Sequence, residues 1–133
     1  GRNARGVIGI RLREGNKVIG AAILQEGRSM IAVTSKGYGK RVSFEEFMAH
    51  KRGTFGQRYY STTKKTGHVE ALTCSSESSE IMIITKSGIV MRTKISEIRE
   101  QGKNAQGVRL INIKDKEDLV AAIAVLDEDE EEI

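Results

Sequence analysis

The chain has 133 residues, with 22 Lys and Arg against 18 Asp and Glu, a single cysteine and no proline. That length allows an ordinary core. No apolar run nears the roughly 20 residues that span a bilayer, the N-terminus lacks the apolar stretch of a secretion signal, and Cys74 alone excludes an internal disulfide, so a soluble cytoplasmic protein is expected. Six acidic residues form one run at 127–132; without it 22 basic residues face 12 acidic ones. A basic body with an acidic tail points to a polyanion partner for which the tail competes, or to a tail that only solubilises.

Val7-Ile8-Gly9-Ile10-Arg11-Leu12 is rich in β-branched residues and predicts a strand, followed by the turn signal Glu14-Gly15-Asn16 and a second strand over residues 17–24. Met30-Ile31-Ala32-Val33-Thr34 predicts a third strand, Ser35-Lys36-Gly37 a hairpin turn, and residues 38–43 a polar fourth strand. Ser43 and Glu46 stand at capping-box spacing, which predicts a short helical turn over residues 43–47. The same order then returns, with strands over residues 66–72, 80–85 and 89–92 and a second helical turn within 93–100.

The return is a repeat with a period of about 51 residues. Thr34-Ser35-Lys36-Gly37 comes back as Thr85-Lys86-Ser87-Gly88, Arg41 as Arg92, Phe47 as Ile98, and Val18 as Val69 and again as Val120. Arg2-Asn3-Ala4-Arg5-Gly6-Val7 comes back as Lys103-Asn104-Ala105-Gln106-Gly107-Val108, with Arg52-Gly53-Thr54-Phe55-Gly56-Gln57 as a diverged copy between them. Gly6, Gly56 and Gly107 share one phase, as a bulge or a close backbone approach requires. Four short strands per period and no 3.6-residue periodicity predict an all-β fold, a partial β-propeller of four-stranded blades. The units are residues 1–50, 51–101, a half repeat at 102–126 and the acidic tail at 127–133. Two and a half periods predict a piece of a longer array, whose open faces and edges favour self-association.

No catalytic constellation is visible. Gly37-Tyr38-Gly39-Lys40-Arg41 lacks the glycine spacing of a phosphate loop and the Ser or Thr after its lysine, and reads as a hairpin turn. His50 and His68 have no partners at zinc-ligand spacing, and residues 75–79 read as a polar loop.

Gly37-Tyr38-Gly39-Lys40-Arg41, Asn104-Ala105-Gln106-Gly107-Val108, Arg92-Thr93-Lys94-Ile95-Ser96-Glu97-Ile98 and the acidic tail together resemble the C-terminal part of the bacterial DNA gyrase A subunit, over essentially the whole chain. Topoisomerase IV carries a related domain. The resemblance implies a six-bladed β-pinwheel that wraps DNA on a basic rim, so that strand passage by the rest of the enzyme introduces negative supercoils. This chain would hold the last two blades and the half repeat that closes the ring. Its implied partners are duplex DNA, the remainder of the gyrase A subunit and the gyrase B subunit, in a bacterial cytoplasm at the nucleoid. No cofactor is expected for this chain; ATP and magnesium belong to the whole type II topoisomerase. The family's first blade carries a Gln-Arg-Arg-Gly-Gly-Lys-Gly box, whose phase reads His50-Lys51-Arg52-Gly53-Thr54-Phe55-Gly56 here, so the box function is not carried over. Tyr38, Tyr59 and Tyr60 inherit no catalytic role and are expected to pack or to line the rim.

Phosphate neutralisation releases counterions and needs only a row of Lys and Arg. Residues 36–65 and 86–109 are both strongly basic, and the expected DNA contacts are Lys36, Lys40, Arg41, Lys51, Arg52, Arg58, Lys86, Arg92, Lys94 and Lys103. Arg41 and Arg92, with their neighbours Lys40 and Lys94, are expected to follow one DNA path from blade to blade. Two other readings stay open: a propeller scaffold for a protein partner, and the equivalent domain of topoisomerase IV.

Overall fold

A computed structural model describes residues 6–14, 17–49, 64–99, 107–115 and 117–127. In chain order the strands are β1 (Val7–Glu14), β2 (Lys17–Gln25), β3 (Arg28–Thr34) and β4 (Tyr38–Ser43), then helix α1 (Phe44–Ala49), then β5 (Val69–Ser76), β6 (Glu80–Thr85) and β7 (Val90–Lys94). A 3-10 turn (Ile95–Glu97), β8 (Val108–Arg109) and β9 (Val120–Leu126) follow. They form three antiparallel sheets, ordered β1-β2, β5-β3-β4-β8 and β7-β6-β9.

The repeat is written into the register. Ile31↔Arg41 in the β3–β4 hairpin becomes Met82↔Arg92 in the β6–β7 hairpin. Met30↔Cys74 between β3 and β5 becomes Ile81↔Val125 between β6 and β9, and each pair of strands slips once, after Val33 and after Ile84. A sheet is nevertheless assembled across repeats. The middle sheet takes β3 and β4 from the first copy, β5 from the second and β8 from the third. Neither the middle nor the third sheet is completed by one copy, so neighbouring units depend on one another for stability. The third sheet has three strands among the described residues, because no strand there takes the place that β8 fills beside β4.

Two cores lie on the two sides of the middle sheet. Ile10, Leu24, Met30, Val42, Phe44 and Phe47 fill the layer toward β1 and β2. Ile31, Val33, Ile81, Ile83, Ile95, Ile98, Ile111 and Val120 fill the layer toward the third sheet. With both faces covered, β3 is buried almost throughout, and its side chains alternate between the two cores.

The two helical turns differ for a local reason. Glu46 N–H donates to Ser43 Oγ at 3.1 Å, which caps α1 and lets Phe44 and Phe47 pack on one helix face. One period later Ser43 is replaced by Lys94, which has no acceptor to offer, and the segment makes only the 3-10 turn Ile95–Glu97 with no side-chain cap.

Candidate nucleic-acid interface

The hairpin turns carry the site. In the first, Gly37 adopts φ +90°, its N–H donates to Thr34 O at 3.1 Å, and Tyr38 N–H donates to Thr34 Oγ1 at 3.1 Å. In the second, Gly88 adopts φ +98°, its N–H donates to Thr85 O at 3.0 Å, and Ile89 N–H donates to Thr85 Oγ1 at 3.1 Å. A positive φ is what glycine allows at little cost, so the turn chemistry fixes both hairpins alike. Each turn is also tied to the strand-entry loop of the next copy, Ser35 N–H to His68 O at 2.8 Å and Lys86 N–H to Leu119 O at 2.8 Å.

On this common backbone the side chains diverge. At the first junction exposed Lys36 donates from Nζ to Lys64 O at 2.7 Å, with Lys64 and Lys65 exposed beside it. Arg109 of β8 completes the group: its guanidinium donates to Tyr38 Oη at 2.8 Å and lies 5.3 Å from the centre of that ring. This hydrogen bond holds the Tyr38 phenol below its ordinary pKa. Lys36, Tyr38, Lys65 and Arg109, together with Ile113, Asp115 and Asp118, line an open cleft of about 390 Å³.

At the second junction the place of Lys36 is taken by Ser87. Its N–H and hydroxyl donate to the two oxygens of Asp118 at 3.0 and 2.5 Å, and Leu119 N–H adds a third bond at 3.0 Å. The Ser87 hydroxyl foremost, with Thr85 and the two backbone donors, holds the Asp118 carboxyl below the usual carboxylate range. Asp115 is occupied as well, accepting from Glu117 N–H at 2.9 Å. The carboxylates are thus engaged by the protein's own donors, while Lys36, though it donates to Lys64 O, and Lys65 are exposed to solvent.

The expected DNA contacts divide into three groups. Lys36, Lys86, Arg92 and Lys94 are exposed. Arg92 is engaged by Glu80, whose carboxylate accepts from both Nε (3.0 Å) and a terminal nitrogen of the guanidinium. Lys51, Arg52, Arg58 and Lys103 lie outside the described residues. Lys40 and Arg41 do not share a surface path with Arg92 and Lys94, which corrects the expectation drawn from equal phase. β4 lies between β3 and β8 and has all six residues buried, whereas β7 is an edge strand whose exposure alternates.

Lys40 stands opposite Ala32 and on the same face as Met30 and Val42, at 0% exposure, and burial lowers its pKa to about 8. Arg41 points the other way: its Nε donates to Ile98 O at 2.7 Å, and a terminal nitrogen donates to Ser29 Oγ at 3.2 Å and Glu77 at 3.3 Å. It fastens the middle sheet to the segment after the 3-10 turn. Lys65 and Arg109 were missing from the expected set. The signals were present, a Lys-Lys pair just before the strand at Val69 and an arginine directly after Gly107-Val108, but nothing local ties either to Lys36.

Among relatives of the chain, the family described as DNA gyrase C-terminal domain, beta-propeller, matches residues 1–25, 29–76 and 79–126. The DNA gyrase A subunit of Deinococcus deserti is 38% identical over 135 residues, which cover 98% of this chain and 17% of that protein. The chain therefore spans about a sixth of that relative's length. A solved DNA gyrase A C-terminal domain superposes with a TM-score of 0.70 at 25% identity, over 90% of this chain and 40% of that one. The C-terminal domain of DNA topoisomerase IV shares the fold, with a TM-score of 0.68 at 17% identity over 88% of this chain and 36% of that one. Two family-like hairpins in one register, blades built across the repeats and a family match over most of the sequence lead to one conclusion: the chain belongs to the DNA gyrase C-terminal domain family.

Proposed function

We propose that the chain binds duplex DNA without reading its sequence and so serves DNA wrapping by a gyrase-type A subunit. The observation that carries this reading is the convergence of Lys36, Lys65 and Arg109 at the first hairpin junction, from three copies of the repeat. Separated cations on a turn suit phosphates spaced along a backbone, and contacts of that kind carry no base sequence. Lys86, Lys94 and Arg92 extend the row over the second hairpin, Arg92 at the cost of releasing Glu80. In this reading the chain contributes no chemistry of its own. Strand breakage, ATP and magnesium belong to the remainder of the gyrase A subunit and to the gyrase B subunit, and the DNA held here sets the direction of supercoiling.

The test is binding to a duplex of about 40 base pairs across a salt series, with the chain intact and with residues 128–133 removed. Asp127 is kept because its carboxylate accepts from Ser79 Oγ at 2.5 Å and Ser75 Oγ at 3.3 Å. A steep negative slope of affinity against salt, steeper or stronger without the tail, supports phosphate tracking with the tail as competitor. Salt-insensitive association with a protein, and none with DNA at low salt, would favour the scaffold reading instead.

A further inference from the structure

The two hairpin junctions differ in one acceptor. At the second, Asp118 takes Ser87 N–H on Oδ1 at 3.0 Å and the Ser87 hydroxyl on Oδ2 at 2.5 Å, so a carboxylate of the chain sits against the turn. One period earlier Ser87 becomes Lys36 and Asp118 becomes Gly67. The backbone tie between turn and strand entry is kept, Ser35 N–H to His68 O standing for Lys86 N–H to Leu119 O. The first turn thus keeps its donor and loses the carboxylate that would meet it. Lys36 N–H has no acceptor among the described residues.

Gly67 adopts φ +82°, which Asp118 does not, and a Cβ there would stand 3.2 Å from Lys36 N and collide with Ser35 Oγ. Ser35 is only 4% exposed, and its hydroxyl has no hydrogen-bond partner among the described residues. A hydroxyl so deeply placed is ordinarily satisfied. The charge around it is positive. Lys36 Cγ lies 3.0 Å from the same Cβ position, its Nζ is held on Lys64 O at 2.7 Å, and Lys64 and Lys65 are exposed in the turn that precedes Gly67. The acidic groups have partners of their own, Glu70 in His68 Nε2 at 2.9 Å and Asp118 in Ser87. A backbone N–H and a hydroxyl on a turn, beside fixed cations, suit an oxyanion better than a neutral group.

We propose that the first junction holds an oxyanion pocket at Gly67, in which Ser35 Oγ and Lys36 N–H donate to one phosphate group where the second junction has the Asp118 carboxylate. Under the DNA-binding reading above, on which this choice of ligand rests, the group is a phosphodiester of the duplex; free inorganic phosphate has the same chemistry. The second junction carries its own anion and is closed to another.

The test is amide NMR on the intact chain, titrated with inorganic phosphate at an ionic strength held constant with chloride, and separately with a short duplex at low salt. The Lys36 amide is expected to shift saturably with both, and the Ser87 amide, already bonded to Asp118, to stay in place with phosphate. Ser35→Ala is expected to weaken the phosphate response about tenfold, the loss of one hydrogen bond to a charged group. Asp118→Gly, which copies Gly67, is expected to make the Ser87 amide respond as well. Should either variant fold poorly, the intact chain still decides. A Lys36 amide that phosphate moves no more than it moves Ser87 overturns the pocket, even where duplex binding keeps a steep salt slope. A response to phosphate but not to a bound duplex overturns the phosphodiester as its ligand. A response to phosphate with no duplex binding at all leaves the pocket standing and overturns the DNA-binding reading instead.

Discussion

The two hairpins of this chain share turn, register and ties to the next copy, yet one has become interior, with Lys36 at its tip, and the other peripheral, with Ser87 in that place engaging Asp118. β4 is enclosed, so its arginine is a structural clamp; β7 is an edge, so the arginine of the same register is a surface ion pair. At the turns, Lys36 bonded to Lys64 O corresponds to Ser87 bonded to Asp118. A repeat therefore transmits backbone geometry faithfully, while the burial and charge of equivalent residues depend on which strands from other copies arrive beside them.

The largest contrast is expected between the two arginines. Arg41→Ala removes the donors to Ile98 O and Ser29 Oγ and leaves buried groups unsatisfied, which should cost about 2 to 4 kcal/mol. Arg92→Ala breaks an exposed pair and should change stability by less than about 0.5 kcal/mol. Urea unfolding of both variants checks this, and equal losses would break the contrast.

Lys40 sharpens it from the other side, because its counterpart is Met91. Lys40→Met removes the buried amine whose pKa burial lowers, and with it the pH dependence that this amine imposes on stability. The folded pKa is about 8 against 10.5 for the free side chain, so the unfolded state holds more protons and stability rises with pH through that window. Cys74, pushed by burial to about 11 from 9.0, acts oppositely at higher pH, because the unfolded chain loses that proton first. Between pH 8 and 9 the lysine outweighs the thiol, and stability should rise by about 0.6 kcal/mol, a rise absent in Lys40→Met. Thermal melts at those two pH values decide it.

A smaller effect belongs to the caps. Ser43→Lys, which copies Lys94, should shorten α1 and cost about 1 kcal/mol, and Lys94→Ser should gain a few tenths. Circular dichroism with chemical unfolding reads both changes.

What the sequence disclosed, and what it hid, follows the range of the physics involved. The first four strands, both Gly-centred turns and the Ser43 cap depend on residues within a few positions of one another and stand where the pattern put them, whereas the strand expected over residues 66–72 runs Val69–Ser76 and β8 and β9 were not expected. The membership of each sheet is not local. β8 reaches β4 across two copies of the repeat and brings Arg109 to Tyr38, while Lys40 shares a face with Met30 and Val42 and Arg41 is held by Ile98 O from the next copy. Equal phase put Arg41 and Arg92 on an equal footing, and only the strand order separates them. The same limit hid Lys65 as a partner of Lys36, because the turn that presents it is fixed by the bond from Ser35 N–H to His68 O.

That the first hairpin junction holds DNA phosphates, and that the second contributes less, is tested most directly by the salt dependence of duplex binding. The chains to compare are the intact one, Lys36→Ala with Lys65→Ala, and Lys86→Ala. The double substitution is expected to lower the slope of log affinity against log salt by about 2, near 0.9 for each phosphate given up, and Lys86→Ala to lower it by about 1 or less. An unchanged slope in the double variant, at undiminished affinity, would contradict this and move the DNA path away from the first junction.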